Sequence, residues 1–381
     1  MAESIGQKFE AQVRGFASDG RGVVSHPNGR TFFVPGVWMG ERIVARITQL
    51  KGRMGFAECI ELLEASPDRV DVPCAHHGAA KGECGGCPWM IARYDAQLKA
   101  KQARIDSSFA RIDCEDKVKP IWPAPSPLGY RTRAQLKTDG KQLGYVSAQS
   151  NTLAPITGCQ ILTEKNAQTL SALQATLPNK AWRPAKRHEL TSIDIDETTE
   201  ASSVRINQRL PFQQANAEQN KKMLAWLSEK LENLSGRKHV LELFCGSGNL
   251  TETISKFPFE NITAVEAVEE SLKGLENKSL NNVTALQANL FSDQGIEKAV
   301  FNAKTADVLV LDPPREGLKT TGNLCGKKSK IKDIFYISCD LATLVRDIAY
   351  FKEHKFRVKE IQPLDMFPQT PHIETLVWLR K

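Results

Sequence analysis

Five runs in the first 65 residues alternate apolar with polar side chains: KFEAQVRGF, GRGVVSH, TFFVPGV, ERIVARITQL and GFAECIELLEA, punctuated by Gly, Pro and Asn-Gly. Period-two alternation predicts half-buried strands, and five at this spacing predict a small closed barrel. The period then changes. In ARYDAQLKAKQARIDSSFARI, Leu98, Ile105 and Phe109 recur at helical spacing between basic residues, which predicts one amphipathic helix. From about 118 to 210 the chain is irregular, with a Pro-rich opening at WPAPSPLGYRTRAQL and strands predicted at LGYVS and SSVRINQ. Beyond 212, the apolar runs HVLELFC, NITAVEA, VTALQAN, DVLVLDPP and DIFYISC alternate with helical stretches. That alternation predicts a doubly wound parallel sheet.

These changes divide the chain into an OB-like all-β barrel over 1–66, a mixed α+β domain over 67–210 and a Rossmann-like α/β domain over 211–381. Neither an internal repeat nor a low-complexity segment is visible. Composition (41% hydrophobic, 25% charged) is that of a soluble globular protein. No apolar run approaches the roughly 18 residues of a membrane span, and MAESIGQKFEAQV lacks a signal-peptide core. A cytoplasmic protein without membrane association is expected, and a monomer; the chain shows no long coiled-coil pattern that would speak to its oligomeric state. A net charge of +7 with pI near 8.8 tilts the chain towards polyanionic partners. Nine cysteines, an odd count without an export signal, argue against a disulfide framework and for metal binding or catalysis.

Candidate chemistry gathers in the last third. VLELFCGSGNLT reads as a strand, a Gly-Ser-Gly turn and a helix start, where glycines admit a ligand to the backbone. Glu266, ending NITAVEA, is placed to accept hydrogen bonds from ribose hydroxyls. After Gly246 and Gly248 comes Thr251, so the third glycine of the phosphate-binding fingerprint is missing; S-adenosylmethionine, which has no phosphate, suits the loop better than a dinucleotide. Asp312 precedes two prolines at the end of VLVLDPP, a rigid turn at the ligand-binding edge of such sheets. Arg315 stands where amino-group methyltransferases carry a stacking aromatic.

Cys339 ends the strand DIFYISC just before a helix start, where a thiolate is stabilised. Glu374, between Ile373 and Leu376 at the start of a final strand, is either a satisfied edge residue or a base of raised pKa. A thiolate and a base suit methylation at a pyrimidine carbon, since C5 of uracil is a poor nucleophile until something adds at C6.

PFQQAN, LELFCGSGNLT, VEAVEE, LDPPREGL, YISCDLATLVRDI and LDMFPQTPHIETL, in this order over 211–378, resemble the RNA uridine-5 methyltransferase family. The resemblance implies a class I S-adenosylmethionine-dependent methyltransferase domain with Cys339 as nucleophile and Glu374 as base. It also places Gln214, Phe244, Asn249, Glu266, Asn289 and Asp312 around the cofactor and the target base. VPGVWMGERIVARI resembles the RNA-binding TRAM domain. Cys74, Cys84, Cys87 and Cys159 resemble the family's four iron–sulfur ligands; by themselves, four cysteines with one C-x-x-C suit zinc as well as a [4Fe–4S] cluster.

Three features depart from the family pattern. AHHGAAKGE makes the Cys74–Cys84 loop longer than usual and brings in His76 and His77, which opens a role for histidine or a different metal. Asp340 and Leu341 replace the usual Asn-Pro after the nucleophile, and an acid there is expected to raise the thiol pKa. KTTGNLCGKKSKIKD is too short and polar for the usual long helix, and its lysines read as a solvated face or as phosphate contacts. With both barrel and cluster, 23S ribosomal RNA is favoured as substrate over transfer RNA, with Arg131 and Arg133 as candidate RNA contacts. The alternatives are a transfer RNA uridine-5 methyltransferase, an RNA cytosine-5 methyltransferase and a non-catalytic iron–sulfur RNA-binding protein.

Overall fold

The computed structural model describes residues 3–148 and 150–381. The chain forms two compact units, one of Met1–Ala100, Ser126–Leu210 and Phe367–His372, the other of Lys101–Pro125, Pro211–Met366 and Ile373–Lys381.

The first unit opens with six strands, β1 (Lys8–Gln12), β2 (Gly15–Phe16), β3 (Gly22–Ser25), β4 (Thr31–Val34), β5 (Arg42–Lys51) and β6 (Met54–Glu64), in the order β1-β5-β6-β4-β3-β2. The five predicted runs become six because KFEAQVRGF breaks in the middle. The Val13 N–H donates to the Glu41 carbonyl while the Arg14 N–H donates to that of Val23, so the chain changes partner strand there. Phe9, Val24, Phe32, Val34, Ile43 and Ile47 fill the core, the inward positions of the alternation.

The helix α1 (Tyr94–Ala110) falls within the predicted span. Its first part belongs to this unit, where the buried Gln97 amide donates to the Trp89 and Ala92 carbonyls and to Gln369. A second, four-stranded sheet has the order β10-β7-β8-β9, from β7 (Arg133–Thr138), β8 (Leu143–Val146), β9 (Leu153–Pro155) and β10 (Thr191–Asp196), with α2 (Glu164–Ala175) against it. SSVRINQ is not the strand predicted. Ala201–Ser203 is a single helical turn, and Asn207, with φ 56°, takes its N–H to the Ser192 carbonyl, which leaves only an Ile193–Ile206 bridge.

The second unit carries α3 (Ala217–Glu232), β11 (His239–Leu243), α4 (Asn249–Ile254), β12 (Asn261–Glu266), α5 (Glu269–Glu276), β13 (Val283–Gln287), α6 (Asp293–Asn302), β14 (Val308–Leu311), β15 (Asp333–Ser338), α7 (Leu341–Glu353), β16 (Arg357–Leu364) and β17 (Glu374–Arg380). The sheet order is β13-β12-β11-β14-β15-β17-β16, parallel from β13 to β15, with β17 antiparallel to both neighbours. All residues of β14 and β15 are buried, as covering a parallel sheet on both faces requires. Residues 312–332 between these strands contain no helix, in keeping with their polar sequence. Because β17 runs against β15, its first residue arrives at the edge where the parallel strands end.

Candidate active site

Three adjacent strands deliver three reactive groups to that edge: Asp312 after β14, Cys339 after β15 and Glu374 at the start of β17. Burial pushes the Cys339 thiol up to about 12, and Glu374 and Asp312 add to the rise while Arg315 opposes it. That rise runs against the thiolate expected at the helix start. Asp340 follows Cys339 directly. Its carboxylate caps α7, accepting from the Thr343 N–H (3.0 Å) and hydroxyl (3.1 Å), and so occupies the helix terminus itself. Burial and the facing carboxyls, rather than Asp340, are what raise the thiol.

Glu374 is buried, and its carboxyl is pushed well above the usual range by burial and by Asp312. Asp312 keeps part of its surface open but is itself pushed up to about 7 by burial. Arg315 is the group that sequence reasoning undervalued. The Thr343 hydroxyl donates to its carbonyl (3.0 Å), which ties the Pro-Pro turn to the capped start of α7.

On the next strand, Glu242 of β11 is fully enclosed, with neither carboxylate oxygen hydrogen-bonded. The Thr251 hydroxyl faces it short of hydrogen-bond geometry and lowers its pKa a little, but burial, aided by Asp312, lifts it to about 8. Nothing in the sequence set this acid apart from ordinary strand residues. Gly248, at φ 87°, opens α4, and a Cβ there would stand 2.5 Å from Leu275. Glu266 gathers the loop: its carboxylate accepts from the N–H groups of Gly246 (3.1 Å), Ala267 (2.8 Å) and Val268 (3.0 Å). Phe244 holds φ 63° and packs on Phe291 with ring centroids 5.8 Å apart. Asn249 pairs amide to amide with Asn220, Asn289 accepts from the Phe291 N–H, and Gln214 lies in the irregular stretch before α3.

The other predicted cluster lies in the first unit. Cys74, Cys84, Cys87 and Cys159 line one cavity together with His76, His77, Met90 and Tyr145. Burial raises the thiol of Cys84, and that of Cys87 to about 12. Among the described residues, no three His, Cys, Asp or Glu side chains converge as they would around a single ion. The His76 Nε2 faces both the N–H and the hydroxyl of Thr157 at 2.9 Å. Arg133 is also engaged, with Asp194 (2.9 Å) and the Leu210 carbonyl, which makes it a brace within this unit rather than a free RNA contact.

A family model described as tRNA (uracil-5-)-methyltransferase matches residues 195–381, and a TRAM domain model matches 3–60. An uncharacterized RNA methyltransferase of Nitrosomonas europaea is 38% identical over 98% of this chain and 97% of its own length. A 23S rRNA (uracil(1939)-C(5))-methyltransferase of Pseudomonas putida is 27% identical over 98% of this chain and 93% of that protein. The crystal structure of Pyrococcus abyssi tRNA (uracil-54, C5)-methyltransferase with S-adenosyl-L-homocysteine has the same fold, with a TM-score of 0.72 over 97% of this chain and 100% of that one at 19% identity. Among the described residues no helix is long and apolar enough to cross a membrane. The chain belongs to the RNA (uracil-5-)-methyltransferase family, enzymes that transfer a methyl group from S-adenosylmethionine to C5 of uracil in RNA.

Proposed function

We propose that this enzyme methylates a uridine of 23S ribosomal RNA, with Cys339 as nucleophile and Glu374 as base. The observation that carries the roles is the delivery of thiol and carboxyl to one sheet edge by paired strands. The Cys339 sulfur, having released its proton to solvent water, bonds to C6, and the electrons of the C5–C6 double bond move to O4 as an enolate. C5 then takes the methyl group from the sulfonium, releasing S-adenosylhomocysteine. Glu374 removes the C5 proton, the double bond re-forms and the S–C6 bond breaks. A carboxylate of raised pKa is the stronger base for that last step. The Pseudomonas putida relative supports ribosomal over transfer RNA.

Gln214, Phe244, Asn249, Glu266, Asn289 and Asp312 are proposed to surround the cofactor and base. The anchoring of the glycine loop on Glu266 supports this. Cys74, Cys84, Cys87 and Cys159 are proposed to hold a [4Fe–4S] cluster. Four thiols on one cavity are a soft donor set of the kind that iron–sulfur clusters use. Such a cluster would supply a cross-link between chain segments distant in sequence. Iron and acid-labile sulfide in anaerobically purified protein test this point.

The catalytic test uses RNA transcripts containing 5-fluorouridine, whose fluorine cannot leave as a proton. With S-adenosylmethionine, ribosomal transcripts should give a covalent complex on a denaturing gel that disappears in Cys339→Ala. A complex with transfer RNA alone would overturn the substrate, and none with either would overturn the mechanism.

A further inference from the structure

We propose that Tyr145 tunes the four-cysteine site by donating its phenolic hydrogen to the sulfur of Cys159. This rests on the reading of Cys159 as a cluster ligand. The Tyr145 hydroxyl lies 3.7 Å from the Cys159 Sγ, a normal separation for a hydrogen bond to sulfur. The phenolic hydroxyl of Tyr145 is a hydrogen-bond donor.

The backbone fixes this contact. Tyr145 sits on β8 opposite Ala154 of β9, and the Ile156 N–H returns to the Leu143 carbonyl, so the chain reaching Cys159 leaves directly from the strand beside Tyr145. Gly144 makes the close pairing possible, since a Cβ there would lie 1.9 Å from the Ala154 carbonyl oxygen. Met90, Ile156 and Ile161 give the cavity apolar walls, where little water competes for the sulfur.

A hydrogen bond to a ligating sulfur withdraws electron density and favours the reduced form of the metal group, so it raises the reduction potential. Because the contact touches neither Cys339 nor the cofactor loop, its effect should appear in the potential before it appears in methyl transfer.

The experiment is a redox titration of the full-length protein, loaded anaerobically with iron and sulfide and reduced with dithionite, followed by electron paramagnetic resonance. Tyr145→Phe should keep its iron and lose about tenfold in the reduction equilibrium constant, a shift of about 59 mV to more negative potential for a one-electron couple. Replacing Tyr145 with 3-fluorotyrosine, a stronger donor, should move the potential the opposite way. Full iron with unchanged potential in both proteins overturns the proposal. If Tyr145→Phe loses its iron, the fluorotyrosine protein decides alone, and an unchanged potential there overturns it. Wild-type protein that takes up no iron overturns the cluster reading instead.

Discussion

Cys339 and Glu374 stand one register step beyond the Ser338–Thr375 pair of β15 and β17, and the buried carboxyl of Glu374 raises the pKa of the thiol beside it. Two strands that meet antiparallel thus bring nucleophile and base to the same edge, although the nucleophile follows its strand and the base begins its own.

That arrangement separates the roles by where the reaction stops. In Glu374→Gln the thiolate can still add and the methyl group can still transfer, but C5 keeps its proton and the thiol cannot be eliminated. We expect ordinary uridine RNA to form a methylated covalent complex with this variant, and turnover to fall by about 10²–10⁴-fold, the usual contribution of a general base. Cys339→Ser should give no complex. Mass spectrometry of the gel-purified complex distinguishes a methylated adduct from an unmethylated one.

Arg315 is the cation that opposes the rise of the Cys339 pKa. Its removal in Arg315→Gln should push the thiol further up, so the alkaline limb of adduct formation moves to higher pH. At neutral pH the thiolate fraction falls about tenfold for each unit of pKa gained. The pH dependence of iodoacetamide alkylation at Cys339 reads this without RNA, and an unchanged profile would remove Arg315 from the activation of the thiol.

Glu242 makes a stability prediction with a definite sign. Its pKa lies near 8 in the folded protein against an ordinary 4.5, chiefly because of burial. Between those values the unfolded chain has released a proton that the folded protein keeps. Stability therefore falls as pH rises, at up to about 1.4 kcal/mol per pH unit from this group. Glu242→Gln removes that slope, so relative to wild type the variant should gain stability at pH 8 over pH 5. Urea unfolding of the ligand-free protein at both values checks it.

The sequence displayed what repeats and concealed what does not. The five parallel strands were legible because a strand covered on both faces is a continuous apolar run, as in VLVL and DIFYIS. RVKEIQPL, the edge strand β16, was missed because its polar positions interrupt the run. Cys339 and Glu374 were legible as residue types at strand ends. Glu242 and Arg315 were not, since what matters in each is a neighbour from another strand or turn. Asp340 was legible as an acid beside the nucleophile but not as a helix cap, because its destination depends on where α7 begins. The same blindness applies to α1, whose buried face was predicted from Leu98, Ile105 and Phe109. It also buries Lys101 completely, while Leu98 stays half-exposed.

Lys101 is buried because it meets Asp365, with Nζ 2.5 Å from the carboxylate and neither side chain exposed. Burial lowers the lysine pKa and Asp365 opposes that fall. The backbone of Asp365 is fixed independently: its N–H donates to the Trp122 carbonyl, and its own carbonyl accepts from Gln219 (2.8 Å). Lys101→Met should therefore leave the enclosed carboxylate in place without its ammonium, at a cost of about 3–5 kcal/mol. Adding Asp365→Asn removes the buried charge, and the double variant should recover much of that loss. Urea unfolding of the wild type, the two single variants and the double variant forms a complete cycle. Additive losses would show the pair to be independent groups, whereas a coupling above about 1 kcal/mol would establish the ion pair as the clamp between α1 and the end of β16.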